Sequence, residues 1–324
     1  MDDTWPWSGP GFATRDSSPR IQRPVPARIG CYRPVRQLAG GGMAELFVAL
    51  ADRDDGASHV SALKRIRPHL AEFPEARALF AHEALLLSRF RHSGIVRVLD
   101  IAPAATEGHF AMELVHGRGL IEVVRRAQRL GVRMPLRHSI AIVAAAAEAL
   151  HHAHECRDDD GSPLEVVHSD VTPANVMIAY DGSLKIVDFG VAQSRRRRAD
   201  RRALPHAGTL SYMSPEQSRG EPLDRRSDVY ALGIMLWELV TWSRLYRGLA
   251  PEQILARVAI GAVPLPSQLR ADLPRGLESA IMTALQPARE RRFATTSELA
   301  AELRAIVGPP DHALVDAWIR RVFH

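Results

Sequence analysis

The sequence predicts an α+β fold, with strands in roughly the first third of the chain and helices in most of the remainder. Val35–Ala39 and Glu45–Leu50 flank three consecutive glycines, a pattern typical of a strand, a tight turn and a second strand. Val60–Ile66 alternates like a third strand. Ser139–His154 is rich in alanine and apolar nearly all round, as expected for a helix buried among other helices.

The remaining elements follow the same division. Pro74–Phe90 has an apolar stripe with helical spacing. A pair of strands is expected to start at Arg91–Val96 and to end at Phe110–Gly117. Leu120–Leu130 is predicted to be helical. Val176–Ile178 and Leu184–Val187 are predicted to form a small hairpin, because Asp-Gly between two apolar runs is a strong turn signal.

The ends of the chain differ from its centre. Residues 1–29 contain Trp5, Trp7 and several prolines without helical or strand periodicity, so we expect a disordered Pro/Trp-rich leader. Ordered sequence begins near Tyr32, and residues 308–324 are expected to form a short amphipathic tail. The predicted domain therefore covers residues 30–307.

Composition excludes several classes of protein. The chain has 324 residues, 46% of them apolar and 24% charged, which is typical of a globular protein with a sizeable core. Cys31 and Cys156 are far apart in sequence, so neither a disulfide framework nor a cysteine metal site is indicated, and a cytoplasmic location is expected. The longest apolar runs are well below the roughly 20 residues that cross a bilayer, so we predict no membrane segment. No signal peptide is expected either, because the N-terminus begins with acidic residues.

The net charge of +5 resides in one short run. Arg195–Arg202 contains six arginines and one aspartate, and the charges elsewhere cancel. A nucleic-acid groove would need dispersed basic residues with stacking aromatics, so no nucleic-acid partner is expected. The run is interpreted as a solvated loop, with recruitment of acidic substrates or blocking of the cleft as alternatives.

Three features of the sequence carry possible chemistry. Asp170 and Asn175 lie five residues apart, and Asp188 follows the predicted hairpin; their oxygens are suitable ligands for Mg²⁺ on a nucleotide, and one carboxylate can orient a hydroxyl. Glu83 interrupts the apolar stripe of the predicted helix, and a buried carboxylate needs a partner. The glycine turn lets backbone N–H groups approach phosphates, although a plain hairpin explains it equally well.

These motifs together resemble those of bacterial, eukaryotic-like serine/threonine protein kinases. His168–Asn175 and Asp188–Gly190 are similar to H-R-D-x-x-x-x-N and D-F-G, and Gly208–Glu216 is similar to the segment that docks a polypeptide acceptor. Ser227–Gly233 resembles the central helix of the large lobe. The resemblance covers about residues 32–307. It implies a two-lobed protein kinase fold: a small lobe of about residues 30–116 with a five-stranded antiparallel sheet, and a mainly helical large lobe of about residues 117–307.

The resemblance also implies roles. Asp170 would orient the acceptor hydroxyl and take its proton, Asn175 and Asp188 would hold Mg²⁺ or Mn²⁺, and Lys64 paired with Glu83 would position the phosphates of ATP. Asp228 would fix the backbone of the catalytic loop, and Arg292 would pair with Glu216. The implied nucleotide contacts are Leu38, Gly40, Gly41, Gly42, Leu46, Ala62, Lys64, Met112, Glu113, Val115 and Met177. Protein substrates are the expected partners, and the oligomeric state is left open.

Several positions depart from the family pattern. Thr172 stands where most serine/threonine kinases have lysine, and Ala39 and Ala44 replace two glycines of the phosphate loop. Ser169 replaces the arginine that in many kinases binds a phosphorylated activation loop, where Ser194 is the one candidate acceptor. We therefore predict activity without loop-tip phosphorylation.

Two alternatives to a protein kinase follow from the same residues. A pseudokinase that binds nucleotide without transferring phosphate is motivated by the departures. A small-molecule phosphotransferase is disfavoured by the acceptor-docking segment.

Overall fold

The computed structural model describes residues 25–52, 58–102, 108–190, 192, 210–308 and 311–323. The described chain divides into an N-terminal unit, residues 25–91 and 96–116, and a C-terminal unit, residues 92–95 and 117–323. Most of the predicted leader, the basic run and Ser194 lie outside the described residues, as do Gly208 and Thr209.

The N-terminal unit contains one five-stranded sheet, in which every pair of neighbours is antiparallel, as the family resemblance predicted. The elements of this unit are β1 (Tyr32–Gly40), β2 (Ala44–Asp52), β3 (Ser58–Ile66), α1 (Pro68–Ala71), α2 (Pro74–Arg89), β4 (Val98–Ile101) and β5 (His109–Glu113). The strand order in the sheet is β1-β2-β3-β5-β4.

Strand register separates the two faces of this sheet. Phe47, Leu63 and Ala111 lie opposite one another on adjacent strands and are buried together with Ile29 and Tyr32. Because successive side chains point to opposite faces, Leu46, Ala62, Lys64 and Met112 project from the other face. Alternate residues of Val60–Ile66 thus face opposite sides of the sheet: Leu63 faces this core, and Ala62 and Lys64 lie on the face of the predicted site.

The C-terminal unit is mainly helical and carries a small antiparallel sheet. Its strands are β6 (Gly117–Gly119), β7 (Val176–Ala179) and β8 (Leu184–Ile186), in the order β6-β7-β8. Its helices are α3 (Leu120–Arg129), α4 (Leu136–His154), α5 (Pro215–Ser218), α6 (Arg226–Thr241), α7 (Pro251–Ile260), α8 (Leu277–Ala284), α9 (Thr296–Val307) and α10 (His312–Phe323), with short 3-10 turns at Pro266–Gln268 and Arg289–Arg291.

Two long helices form the centre of this unit. Every residue of α6 from Ser227 to Thr241 is buried, and the helix ends where Trp242 adopts a left-handed backbone conformation. Helix α4 begins at Leu136, three residues before the predicted start. Pro135 occupies the N-cap position, and its backbone carbonyl accepts from the N–H groups of His138 and Ser139. Among the residues described, no helix is both long and apolar enough to span a bilayer.

His92–Ile95 belong to the C-terminal unit although they precede strands β4 and β5 of the N-terminal one. The Ile186 N–H donates to Gly94 O at 2.8 Å, and Ile95 bridges Ile186 in parallel. A Cβ at Gly94 would lie 2.9 Å from the Ala149 Cβ, so glycine permits this approach. The stretch therefore attaches to β8 and α4.

Candidate active site

Lys64 on β3 and Glu83 on α2 form an ion pair within the N-terminal unit. Lys64 Nζ lies 2.5 Å from Glu83 Oε1, and the side chains are 16% and 3% exposed. The ammonium also lies 5.8 Å from the centroid of the Phe110 ring. Glu83 is therefore the buried carboxylate that the interrupted apolar stripe indicated, and its partner is the lysine that the resemblance supplied.

The glycine turn between β1 and β2 is braced from the end of β3. Arg67 Nε donates to Gly41 O at 2.7 Å, and the Arg67 N–H donates to Met43 O at 3.0 Å. Gly42 has open space where a Cβ would project, and neither Gly40 nor Gly42 has a left-handed φ. The turn conformation does not require these glycines; their absent side chains leave room beside the backbone. Sequence reasoning missed Arg67.

The other predicted nucleotide contacts of the N-terminal unit lie on or beside its sheet. Leu46, Ala62 and Met112 lie on the same face of the sheet as Lys64. Leu38, on β1, and Val115, just after β5, are both half-buried. The Glu113 N–H donates to Arg97 O at 2.9 Å. A nucleotide contact from the Glu113 backbone would therefore use its carbonyl oxygen. Met177, the remaining predicted contact, is half-buried on β7 of the C-terminal unit, opposite Lys185 and Gly119.

Asp170 and Asn175 contact each other inside one loop of the C-terminal unit. Asn175 Nδ2 donates to Asp170 O at 2.9 Å and to Asp170 Oδ2 at 3.0 Å. Thr172 lies between them, with its hydroxyl accepting from the Ala174 N–H at 3.3 Å and its carbonyl accepting from the Asn175 N–H at 3.0 Å. Thr172 shapes the loop locally and adds no charge where the family pattern has lysine.

Asp188 is held at the far end of the hairpin that Asn175 begins. The Val187 N–H donates to Asn175 O at 2.9 Å, and the Gly190 N–H donates to Asp188 Oδ1 at 3.2 Å. Asp188 has a left-handed φ of 69°, a conformation that aspartate tolerates better than most residues. Phe189 packs against His168 with ring centroids 4.4 Å apart. Strands β7 and β8 thus fix both predicted metal ligands.

The donor chemistry of this hairpin fits Mg²⁺. Asn175 and Asp188 offer amide and carboxylate oxygens, the hard ligands that Mg²⁺ prefers. Among the described residues, no group of three or more His, Cys, Asp or Glu side chains forms a complete metal site. The residues present fit a metal that is bound by a few protein oxygens and completed by the phosphates of a nucleotide.

Asp228 at the start of α6 anchors the loop that contains Asp170, the predicted catalytic loop. Its Oδ2 accepts from the His168 N–H at 2.9 Å and its Oδ1 from the Ser169 N–H at 2.9 Å. His154 Nε2 lies 2.8 Å from Asp228 Oδ2 and acts as a third donor when that nitrogen carries the proton. The sequence reasoning did not predict this contact of His154. Its position on a helix that is apolar nearly all round was the available signal, because a buried imidazole needs a polar partner.

A second anchor reaches the same loop from α5. Ser214 and Gln217 form a reciprocal capping box at the start of that helix. Gln217 Nε2 also donates to Ser169 O at 2.8 Å, and Ser169 has a left-handed φ of 60°. The residue that replaces the family arginine is therefore held through its backbone. Sequence reasoning missed Gln217, although the spacing of the capping box was visible.

The comparisons with known proteins agree with this geometry. The sequence matches the family described as "Protein kinase domain" over residues 32–300. The chain belongs to the protein kinase family. This membership confirms the resemblance inferred from the motifs and implies ATP as the phosphoryl donor together with a divalent metal.

Individual relatives are similar over most of the chain. It is 34% identical to "Tyrosine-protein kinase MasK" of Myxococcus xanthus, over 88% of this chain and 44% of that protein. It is 33% identical to "Serine/threonine-protein kinase PknB" of Mycobacterium tuberculosis, over 85% of this chain and 43% of that protein. The chain thus spans less than half the length of these relatives. The crystal structure of a cysteine-to-alanine mutant of the Mycobacterium tuberculosis PknI kinase domain aligns with a TM-score of 0.62 and 27% identity, over 87% of this chain and 97% of that one.

Within this kinase fold, Glu216 and Arg292 form a buried ion pair. Arg292 Nη1 and Nη2 donate to Glu216 Oε1 and Oε2 at 2.7 and 2.8 Å, and Ser227 Oγ donates to Oε1 at 2.7 Å. Burial raises the pKa of Glu216, but the hydrogen bonds and charge of Arg292 outweigh burial and hold that pKa below its usual value. The pair joins the end of the acceptor-docking segment to the distal part of the unit.

Tyr212, in the segment that resembles the acceptor-docking segment of protein kinases, is hydrogen-bonded to α6. Its hydroxyl donates to Glu238 Oε2 at 2.7 Å, and Arg244 Nε and the Leu245 N–H contact Glu238 Oε1 at 3.1 and 3.0 Å. Burial raises the pKa of Tyr212 well above its usual value, so the phenol remains a neutral donor. The sequence reasoning missed this cluster around Glu238, which fixes the position of the Tyr212 hydroxyl.

Proposed function

We propose that this chain is the kinase domain of a serine/threonine protein kinase that transfers the γ-phosphoryl group of ATP to protein hydroxyls and also phosphorylates itself. The observation that carries the proposal is the contact of Asp170 with Asn175 in a loop anchored to Asp228. The relatives named serine/threonine-protein kinase support the same acceptor class.

The reaction needs a base beside the acceptor hydroxyl. The Asp170 carboxylate would orient a serine or threonine hydroxyl and take its proton as the oxygen attacks the γ-phosphorus and ADP leaves. Asn175 Nδ2 holds Asp170 Oδ2, so the carboxylate does not rotate freely. A general base of this kind contributes about 10² to 10⁴ in rate.

The phosphates need positive charge and fixed ligands. Lys64, held by Glu83, would bind the α and β phosphates as a point charge. Asn175 and Asp188 would hold Mg²⁺ or Mn²⁺ through oxygen. The metal, when bound, offsets charge on the phosphates. Thr172 supplies no charge to the transferred group, so we expect a lower rate than lysine at this position would give.

Tyrosine is the second candidate acceptor, because one relative at 34% identity is named a tyrosine-protein kinase. Serine and threonine are preferred because Leu210–Glu216 continues the form of the docking segment found in serine/threonine kinases. Tyrosine and serine/threonine acceptors can be distinguished by the phosphorylated product, since phosphotyrosine differs from phosphoserine and phosphothreonine in acid and base stability.

The test is incorporation of label from γ-labelled ATP with Mg²⁺, followed by mass-spectrometric mapping of the sites. Wild type should label itself and a generic protein substrate at serine or threonine, and Asp170→Asn should not. Asp272→Asn removes an equivalent charge from an exposed site and should behave as wild type. Label found only on tyrosine would show that tyrosine, and not serine or threonine, is the acceptor. Wild-type label no higher than that of Asp170→Asn would favour a nucleotide-binding pseudokinase instead.

The setting of the domain is also a proposal. We place it in the cytoplasm, supported by two cysteines of which neither is in a disulfide bond. Signal transduction through protein substrates is the proposed role, and neither nucleic acid nor membrane is proposed as a partner. Activity without phosphorylation of Ser194 stays a prediction, since Ser194 lies outside the described residues.

A further inference from the structure

Helix α10 packs on the C-terminal unit beyond residue 300, where the match to the family ends. Val315, Ile319 and Val322 are buried and lie on one face, at helical spacing. The helix contacts α3, and the Trp318 ring lies 6.3 Å from the His138 ring of α4. The C-terminal tail is therefore a docked element of this unit.

The first residue of α10 contacts the turn between β7 and β8. His312 Nδ1–H donates to Gly182 O at 3.1 Å. A Cβ at Gly182 would lie 1.9 Å from His312 O and 2.7 Å from its carbonyl carbon, and Gly182 has a left-handed φ of 79°. Glycine is thus required here for two reasons, the turn conformation and the approach of α10.

A second contact reaches the same turn from the other half of α10. Arg320 Nη2 donates to Tyr180 O at 3.1 Å. Asp316, one helical turn earlier, accepts from Arg320 Nε at 2.7 and 3.0 Å and so orients the guanidinium. Two carbonyl oxygens of the turn, those of Tyr180 and Gly182, are therefore bound by α10 side chains.

The far end of α10 is held from the neighbouring strand and helix. Arg126 Nε of α3 donates to Val322 O at 3.2 Å, which satisfies a carbonyl at the end of α10. The Arg118 guanidinium lies 5.1 Å from the Phe323 ring centroid, and Arg118 pairs with Ile178 in the small sheet. Contacts along α10 thus reach the turn, strand β6 and helix α3, and β6 in turn pairs with β7.

The hairpin that α10 holds is the one that presents the predicted metal ligands. Asn175 immediately precedes β7, Asp188 follows β8 by two residues, and the Val187 N–H to Asn175 O bond joins the two ends. Strands β7 and β8 contain only four and three residues. A displacement of the turn at one end of the hairpin therefore also displaces Asn175 and Asp188 at the other end.

We propose that α10 is a positioning element for catalysis: its contacts with Tyr180 and Gly182 fix the β7–β8 hairpin and thereby the positions of Asn175 and Asp188. This inference rests on the proposed function, because it assigns α10 an effect on metal-dependent phosphoryl transfer. Displacement of a reacting group by about 1 Å can lower a rate by about 10²-fold. Loss of the α10 contact should therefore reduce turnover more than it reduces recognition of the acceptor.

The main test compares Gly182→Ala with Gly161→Ala in the full chain. Gly161 also has a left-handed φ, 83°, but nothing lies within 4 Å of a Cβ there, so it controls for backbone strain alone. Gly182→Ala should lower kcat about tenfold and raise the Mg²⁺ concentration needed for half-maximal rate, with KM for the protein acceptor within about twofold. Gly161→Ala should match wild type in all three quantities.

Side-chain variants decide the question if Gly182→Ala does not fold. Arg320→Ala should lower kcat a few-fold, whereas Arg321→Ala, an equal charge change on an exposed neighbour, should not. His312→Ala should act in the same direction as Arg320→Ala. His312→Asn should restore activity, because its amide N–H can donate from a position close to that of Nδ1.

Hydrogen exchange in residues 176–187 supplies a readout that is independent of activity. Exchange should accelerate in Gly182→Ala and Arg320→Ala and remain unchanged in Gly161→Ala and Arg321→Ala. Unchanged exchange in both α10-contact variants would overturn the proposal, as would faster exchange with kcat and Mg²⁺ dependence unchanged. If wild type transfers no more phosphate than Asp170→Asn, the proposed function and the catalytic role of α10 fail together. Exchange then reports only whether α10 holds the hairpin.

Discussion

Neutralising Glu216 should destabilise the C-terminal unit strongly. The substitution Glu216→Gln keeps the shape of the side chain and removes the charge that faces Arg292. That guanidinium is fully buried, with 0% of its side chain exposed, and Glu216 is 2% exposed. Arg292 also donates to the carbonyl oxygens of Gln286, Arg226 and Pro287, so it cannot withdraw to solvent without losing these bonds.

The size of the effect follows from this burial. Removing one partner of a buried ion pair costs about 3–5 kcal/mol, because the other charge stays buried without compensation. Total stabilities of domains are about 5–15 kcal/mol, so Glu216→Gln should remove a large share. A pair whose carboxylate is open to solvent, such as Arg304–Glu148 with Glu148 43% exposed, is worth about 0–1 kcal/mol. Glu148→Gln is therefore a matched control with the same chemical change.

The assay is urea unfolding followed by circular dichroism at pH 7, with the free energy of unfolding compared among wild type, Glu216→Gln and Glu148→Gln. We expect a loss of about 3–5 kcal/mol for Glu216→Gln and less than about 1 kcal/mol for Glu148→Gln. Equal losses in the two variants would refute the assignment of Glu216–Arg292 as a buried structural pair.

The same variant gives a pH prediction. The pKa of Glu216 is lowered in the folded state, since the bonds to Arg292 outweigh the opposing effect of burial. A lowered carboxyl pKa stabilises the fold above the unfolded-chain value of about 4.3, and this contribution is lost as pH falls through the folded-state pKa. The stability difference between wild type and Glu216→Gln should therefore be largest near pH 7 and shrink below about pH 4.3. A difference that grows on acidification would contradict this sign.

Three further predictions concern activity. Lys64→Met should lower the transfer rate about 10² to 10³-fold, because it removes the positive charge that would bind the phosphates. Glu83→Gln should lower the rate less. Steady-state kinetics at saturating ATP checks both variants. Asp228→Asn should lower kcat and the melting temperature together, because one side chain anchors two N–H groups of the catalytic loop. Ser194→Ala should leave turnover within about twofold of wild type. Phosphate mapped on Ser194 of active wild type, together with abolished turnover in Ser194→Ala, would contradict activity without loop phosphorylation.

The sequence predicted those features that depend on local pattern or on a chemical requirement. Alternation within Val60–Ile66 indicated a strand, and Asp181-Gly182 indicated the hairpin turn, because both signals lie within a few residues. Glu83 was predictable because a carboxylate in an apolar helical stripe needs a cation. Asp170 and Asn175 were singled out because their residue types suit a hydroxyl and Mg²⁺, and the resemblance to kinase motifs supplied their separate roles.

The contacts that were missed join residues far apart in sequence. Gln217 reaches Ser169 across 48 residues, and His154 reaches Asp228 across 74. A long polar side chain carries no local signal of which backbone oxygen or carboxylate it will meet, since packing of whole helices decides that. The contact of α10 with Gly182 is of the same kind, and the amphipathic pattern of the tail indicated a buried face without indicating its partner.

The central claim is that Asp170 performs the proton transfer of a phosphoryl-transfer reaction. The most direct measurement is the single-turnover rate of transfer from ATP to a protein acceptor, in wild type and in Asp170→Asn, with ATP affinity measured in parallel. We predict a rate lowered about 10² to 10⁴-fold with ATP affinity within about twofold of wild type. An unchanged rate, or a loss that is explained entirely by weaker ATP binding, would contradict it.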